Sequence, residues 1–263
     1  MDVRERLRRW STPMAVGVSV LMLVATVYGL SVVLPRVQSH PVTWGVDFHL
    51  YQGYAQRWLD GNGFYLDFQL SGPYEVLALW PPLYPPPFLL LIVPFLWLPD
   101  LLWWIVPLAA ISLAVAHWRP SPWAWAGIAA CVAWPRTYEI VIDGNPSMWI
   151  AGFAAAGTML AWPYVGIFLK PSLAPLALFG VRHRSWWVAF GVAVLVSLPF
   201  GAMWLDYAKA IGNADQGWMY SLRDVPIVLI PVIAHAGSRA RARAVDRGST
   251  AASRANGTEA VDV

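Results

Sequence analysis

Between Pro13 and Leu34 the sequence carries no charged residue, and apolar runs of similar character recur along most of the chain. An apolar stretch of that length covers the hydrocarbon thickness of a bilayer, about 20 residues. A single globular core could not bury all such runs in a chain of 263 residues. Charged residues make up only 13% of the sequence, about half the share of an ordinary soluble domain. The chain is therefore expected to be an all-α polytopic membrane protein. Its 17 tryptophans cluster near the ends of apolar runs, as residues of the headgroup level do.

The basic residues are unevenly placed. Arg4, Arg6, Arg8 and Arg9 precede the first run, Arg182 and Arg184 sit between later ones, and Arg239, Arg241, Arg243, Arg247 and Arg254 follow the last. Clusters of this kind mark the cytoplasmic side of a membrane, not a nucleic-acid surface. The first run is too long for a signal-peptide core and no small-residue cleavage site follows it, so it reads as an uncleaved helix. The single cysteine, Cys131, rules out an intrachain disulfide.

About eight transmembrane or re-entrant helices are expected. They run near Pro13 to Leu34, Tyr84 to Trp97, Leu101 to Trp118, Pro122 to Trp134, Met148 to Trp162, Tyr164 to Val181, Trp186 to Trp204 and Val225 to Ala236. Several are only 12–16 residues long, below the ~17 usually needed to cross. An even count puts both termini and Arg182/Arg184 in the cytoplasm of a multi-pass cell-membrane protein. Residues 1–236 form the membrane domain, and the basic tail 237–263 is expected to be disordered. A long outer loop, about 36–82, has a net charge of −2 and suits the outer face. A second outer loop spans about 205–224. Within the first, Asp47 to Leu59 reads as an interfacial helix with Phe48, Tyr51, Ala55, Trp58 and Leu59 near one face.

Asp47 is the first place to look for chemistry, since it is a carboxylate in a polar, aromatic-rich segment of an otherwise apolar chain. An N-cap role for the interfacial helix explains it as well. Lys170 is one of two lysines and lies inside an apolar run. At membrane depth a lysine costs about 2.5–3.5 kcal/mol, so it must face protein, water or a lipid phosphate, or snorkel to the surface. Asp143 and Asn145 either bind polar groups or cap the next helix. His40 and His49 could join Asp47 around a divalent ion, but no motif supports a metal, and a solvated histidine explains His49. No other cofactor is implied, and no Gly-rich phosphate loop, HExxH or catalytic-triad motif is present.

The pattern Asp47-x3-Tyr51-x3-Ala55-x5-Gly61-x3-Tyr65 after a first helix resembles the family 87 glycosyltransferases, also described as DUF2029 proteins of the GT-C superfamily. Tyr84-Pro85-Pro86-Pro87, Asp143-Gly144-Asn145-Pro146-Ser147, Phe168-Leu169-Lys170-Pro171 with Arg182-His183-Arg184, and Trp204-x2-Tyr207 resemble further family segments in the same order. The likeness covers roughly residues 15–225. Asn145 replaces the usual glutamine, and the chain is similar to a short or truncated member.

The resemblance implies a GT-C-like fold and transfer of a sugar, mannose or another hexose, from a polyprenyl-phosphate donor to a lipid or glycan acceptor at the outer face. Asp47 would then be the general base. Departing phosphate needs a cation more than a proton donor, so Arg223 and Lys170 are candidate phosphate contacts, with interfacial anchoring the other role for Arg223. Tyr51, Tyr65 and Asn145 are candidate substrate contacts, although the tyrosines also fit as interfacial anchors. Two other functions fit the same composition. A transporter or flippase would use Lys170 and proline-broken helices. A non-catalytic relative would act as a partner subunit.

Overall fold

The computed structural model describes residues 3–39, 44–76, 80–215 and 221–238. Among these the chain is helical, with no strand beyond one isolated bridge between Tyr74 and Ala214. The expected disordered tail lies, from residue 239 on, outside the described residues; residues 237 and 238 still belong to the last helix. The α-helices are α1 (Val3–Ser39), α2 (Val46–Leu59), α3 (Asp67–Ser71), α4 (Leu101–Trp118), α5 (Pro122–Ala133), α6 (Pro135–Asp143), α7 (Ser147–Leu160), α8 (Arg184–Ser197), α9 (Met203–Asn213) and α10 (225–238). Tighter, proline-rich helical segments, with one α-turn at Leu89–Ile92, fill Pro86–Leu96, Trp162–Leu169 and Pro171–Gly180.

Among the described residues, two helices are long and apolar enough to cross a bilayer, at Ser11–Ser31 within α1 and at α4. Almost nothing of the first is buried in the protein, and Leu21, Val24, Val27 and Tyr28 face outward. An apolar face of that extent on a helix of membrane-spanning length suits lipid contact. This is a membrane protein. The other apolar helices have 10–17 residues.

The helices have two ends. Tyr138 of α6 packs on Gly29 near the C-terminal part of α1. At that same end lie α2, α3, α6, α9 and the starts of α4, α7 and α10. At the far end, Trp118 of α4 donates to Thr158 of α7 (2.9 Å) and stacks edge-on against His235 of α10.

Two apolar runs do not traverse the molecule as single helices. Pro86–Leu96 lies along α2. Tyr51 touches Tyr84 and Phe88 (ring centroids 5.1 and 5.4 Å), while Gln52 donates to the carbonyl of Phe95 at 2.7 Å. The run from 164 to 181 is a hairpin. Trp162–Leu169 and Pro171–Gly180 pack on each other with Lys170 (φ −127°, ψ 88°) at the bend. A Cβ on Gly180 would stand 2.8 Å from the carbonyl of Ala161 and 3.1 Å from the Tyr164 ring, so the two arms end together. Pro163, Pro171 and Pro175 lack the N–H an α-helix would need, which breaks the run into tighter turns. The run from 186 to 204 is also interrupted: Arg184–Phe200 and Met203–Asn213 meet at 94°. Much of the expected second loop is therefore α9, which buries Tyr207, Ala210 and Ile211.

The interfacial helix forms as α2 and buries Asp47, Phe48, Tyr51 and Ala55 on one face, at helical spacing. Leu59, expected on that face, is exposed. Asp47 does not cap α2. Gly45 holds the N-cap in a left-handed conformation (φ 71°), and Asp47, the second residue of the helix, turns its carboxylate to Asn145.

Candidate functional site

Three short stretches converge on Asp47. The first is the turn between α6 and α7, Asp143-Gly144-Asn145-Pro146-Ser147. Gly144 adopts φ 67°, and the backbone N–H groups of Gly144 and Asn145 donate back to Val141 and Ile140 (3.4 and 2.9 Å). This paired closure of a helix C-terminus needs a left-handed residue, and glycine takes it without penalty. Gly45 N–H donates to the carbonyl of Ile142 at 2.8 Å, which ties the start of α2 to the same turn. Asp47 and Asn145 are thereby brought face to face. The second stretch is the hairpin tip, Lys170. The third is Ser221 to Asp224, leading into α10.

The side chains form one buried network. Asn145 Nδ2 donates to Asp47 Oδ2 at 2.6 Å. Asn145 Oδ1 accepts from the Ser147 N–H (3.0 Å) and faces Lys170 Nζ (3.5 Å). The carboxylate can only accept, so the amide orientation is fixed by its partners. Asn145 thus bridges to Asp47 and also satisfies the first turn of α7. Lys170 Nζ donates to Asp224 Oδ2 at 2.7 Å and to Ser147 Oγ. Ser147 Oγ lies 2.8 Å from Asp224 Oδ2 and 2.7 Å from Asn145 Oδ1. Its one proton serves the charged acceptor better. Arg136 Nε donates to Asp224 Oδ1 at 3.0 Å, and its outer nitrogen reaches Glu139 (3.3 Å) and Asp143 (3.7 Å). Lys170 also lies 5.5 Å over the Tyr84 ring, a favourable place for a cation.

These environments separate the three acids. Burial pushes the Asp47 carboxyl above its usual value, opposed by the Asn145 hydrogen bond and the charges of Arg136 and Lys170. Burial also raises Asp143, to about 7, reinforced by repulsion from Asp47 and opposed by Arg136. For Asp224 burial acts upward too, but Lys170 and Arg136, with hydrogen bonds from Lys170 and Ser147, outweigh it and hold the group at about 2. Asp224 is the committed counter-anion. Asp47 instead accepts from a neutral donor, the Asn145 amide.

The network borders a polar cavity of about 100 Å³. Asp47, Tyr51, Asn145, Lys170 and Arg223 all line it, with Tyr84, Arg136 and Asp224. Five of the six candidate residues are thus brought together. Tyr65 is not among the lining residues: its hydroxyl donates to the carbonyl of Tyr84 at 2.8 Å, which supports the wall from behind. Among the described residues, Arg136 and Lys170 are in ion pairs and Arg223, exposed at the mouth, is in none. His49 points away from Asp47, toward Gln52, and His40 lies outside the described residues.

A second, apolar groove of about 830 Å³ lies alongside. Pro85 and Pro171 line it, and they directly follow Tyr84 and Lys170 of the polar cavity. The hairpin therefore walls both spaces. Phe168, Leu169, Phe190 and Trp204 also line it.

Arg136, Asp224, Ser147 and Tyr84 were not singled out as site residues by sequence reasoning. One signal bears on Asp224: Lys170 inside an apolar run needs a polar or charged neighbour, and Asp224, like Asp100, directly precedes an apolar run. No family model, curated protein or solved structure matches the chain.

Proposed function

We propose that the protein is a membrane glycosyltransferase that moves a sugar from a polyprenyl-phosphate donor to a lipid or glycan acceptor, with Asp47 as general base. One observation carries this reading: two acids, Asp47 and Asp224, and three cations line a polar cavity whose walls continue into an apolar groove. A lipid-linked phosphate sugar has that same division of chemistry. The prenyl chain would occupy the groove, and the phosphate would lie near Arg223, the cation outside the ion-pair network. Only the reacting end of such a substrate fits within about 100 Å³, so the sugar would extend through the open mouth.

Asp47 would take the acceptor hydroxyl proton as the bond from C1 to the phosphate oxygen breaks and the acceptor oxygen bonds to C1. Departing phosphate leaves as an anion and needs stabilisation by Arg223 and Arg136, not protonation. Asn145 would keep the Asp47 carboxylate ionised and oriented. The arrangement uses one carboxylate where most glycosidases use two, because the leaving group is already good.

The same reading sets a topology of six crossings: α1, α4, α5, α7, α8 and α10. Pro86–Leu96 would lie at the surface holding the site, and the hairpin 162–180 would enter from the opposite, cytoplasmic side. Arg182, Arg184 and both termini then share that side, in agreement with the charge rule.

Membranes containing wild type and Asp47→Asn at matched levels, supplied with radiolabelled polyprenyl-phosphate mannose, test the proposal. Transfer by wild type and its loss in the variant are expected. Equal transfer by both would remove Asp47 as the base, and transfer by neither would reject this donor.

A further inference from the structure

Beside α2, on the side away from the polar cavity, lies a third space of about 580 Å³. Its floor is the outer face of α4, from Leu101 through Ile105, Leu108 and Ala109 to Ser112. That face runs about 16 Å along a membrane-length helix. Its upper end is polar, lined by His49 and Asp100, with Trp44 stacked on Trp104 (5.8 Å, 18°). The apolar length thus begins at the start of α4, among groups of headgroup character.

The hydrogen bonds at this end fix what it can receive. The carbonyl of Phe95 can only accept, so Gln52 turns its Nε2 toward it (2.7 Å) and presents Oε1 to His49. His49 Nδ1, 3.0 Å from that oxygen, must then carry the proton. In the neutral ring Nε2 is left as an acceptor. Asp100, exposed, receives only a 3.5 Å contact from Gln52 and forms no ion pair among the described residues. Two acceptors, one of them anionic, therefore sit at the head of an apolar groove on a membrane helix. Their complement is a cation with several N–H donors attached to an acyl chain.

We propose that this groove binds a membrane phospholipid with a primary-ammonium headgroup, such as phosphatidylethanolamine. Its ammonium would donate to Asp100 and His49 Nε2, and one acyl chain would lie against Leu101, Ile105 and Leu108. A quaternary ammonium has no N–H to donate, and an anionic headgroup would face the Asp100 carboxylate. The site is separated from Asp47 by Phe48, Trp104 and the Gly144 turn, whose buried rings pack together (Phe48–Trp104 5.3 Å). It does not depend on the glycosyltransferase reading.

The test is native mass spectrometry of the full-length protein released from nanodiscs. The discs contain equal parts phosphatidylethanolamine, phosphatidylcholine and phosphatidylglycerol. Wild type should retain one phosphatidylethanolamine at least tenfold over either other lipid. Ala109→Trp fills the groove on an exposed face and should lose it, while Leu113→Trp, exposed on α4 outside the groove, should keep it. Asp100→Asn should keep a lipid but lose the headgroup preference. Retention unchanged in Ala109→Trp, or a preference for phosphatidylcholine or phosphatidylglycerol in wild type, would overturn the proposal.

Discussion

Asp224→Asn is the most informative single change in the network, because it removes the charge on which two cations depend. Asp224 is 2% exposed, with Lys170 Nζ at 2.7 Å and Arg136 Nε at 3.0 Å. Lys170 is 1% exposed and cannot recover its lost partner from water. An exposed pair would contribute at most about 1 kcal/mol. Removing one partner of a buried pair instead leaves an uncompensated charge and costs about 3–5 kcal/mol. The variant should lose stability by that amount in reversible unfolding from mixed micelles followed by tryptophan fluorescence. Adding Lys170→Met takes away the stranded charge and replaces it with an apolar chain of similar length. Arg136 keeps Glu139 and Asp143 within 3.3 and 3.7 Å. The double variant should therefore be more stable than Asp224→Asn alone by about 2 kcal/mol, within the range of directly contacting pairs. A loss below about 1 kcal/mol in Asp224→Asn, or a double variant no more stable than that single one, would refute the reading of Asp224 as counter-ion to a buried lysine.

Asp143 is raised to about 7 from 3.8, so its contribution to stability is fully present below pH ~4 and fades as pH rises through 7. Asp143→Asn should flatten the stability profile over that window and be more stable than wild type at pH 8; an unchanged slope would count against it. Gly144→Ala combines a positive φ with a Cβ 2.8 Å from the Trp104 ring and 2.9 Å from Phe48 Cβ, and unfolding should show a loss of about 1–3 kcal/mol from overpacking alone. Gly61→Ala, with positive φ but open space, should cost only the backbone strain, about 1–2 kcal/mol. If transfer is measured, Asn145→Ala removes the hydrogen bond that lowers the Asp47 pKa, so the acidic limb of the pH–rate profile should move to higher pH; an unmoved limb would mean Asp47 is not the titrating base. In sealed vesicles of a Cys131→Ala background, cysteines at Trp162 and His183 should label from the same face and one at Gly201 from the opposite face, whereas a straight crossing by 164–181 would separate the first two.

Properties that depend on neighbours along the chain are legible in its residues alone. Long uncharged runs specify lipid contact at Ser11–Ser31 and α4, because backbone polar groups satisfied within a helix are what a bilayer accepts. Helical spacing gave the buried face of α2 through Phe48, Tyr51 and Ala55. A lysine among apolar residues announced that Lys170 needed company. Tertiary structure alone decided who supplies it. Asp224 is 54 residues from Lys170 and 77 from Ser147, and Asn145 is 98 from Asp47. No local periodicity encodes such pairings. The hairpin was illegible for a similar reason: hydropathy counts apolar residues identically whether a segment crosses once or folds back on itself. Only the packing of one arm on the other, with Lys170 carried to its anion at the bend, distinguishes the two.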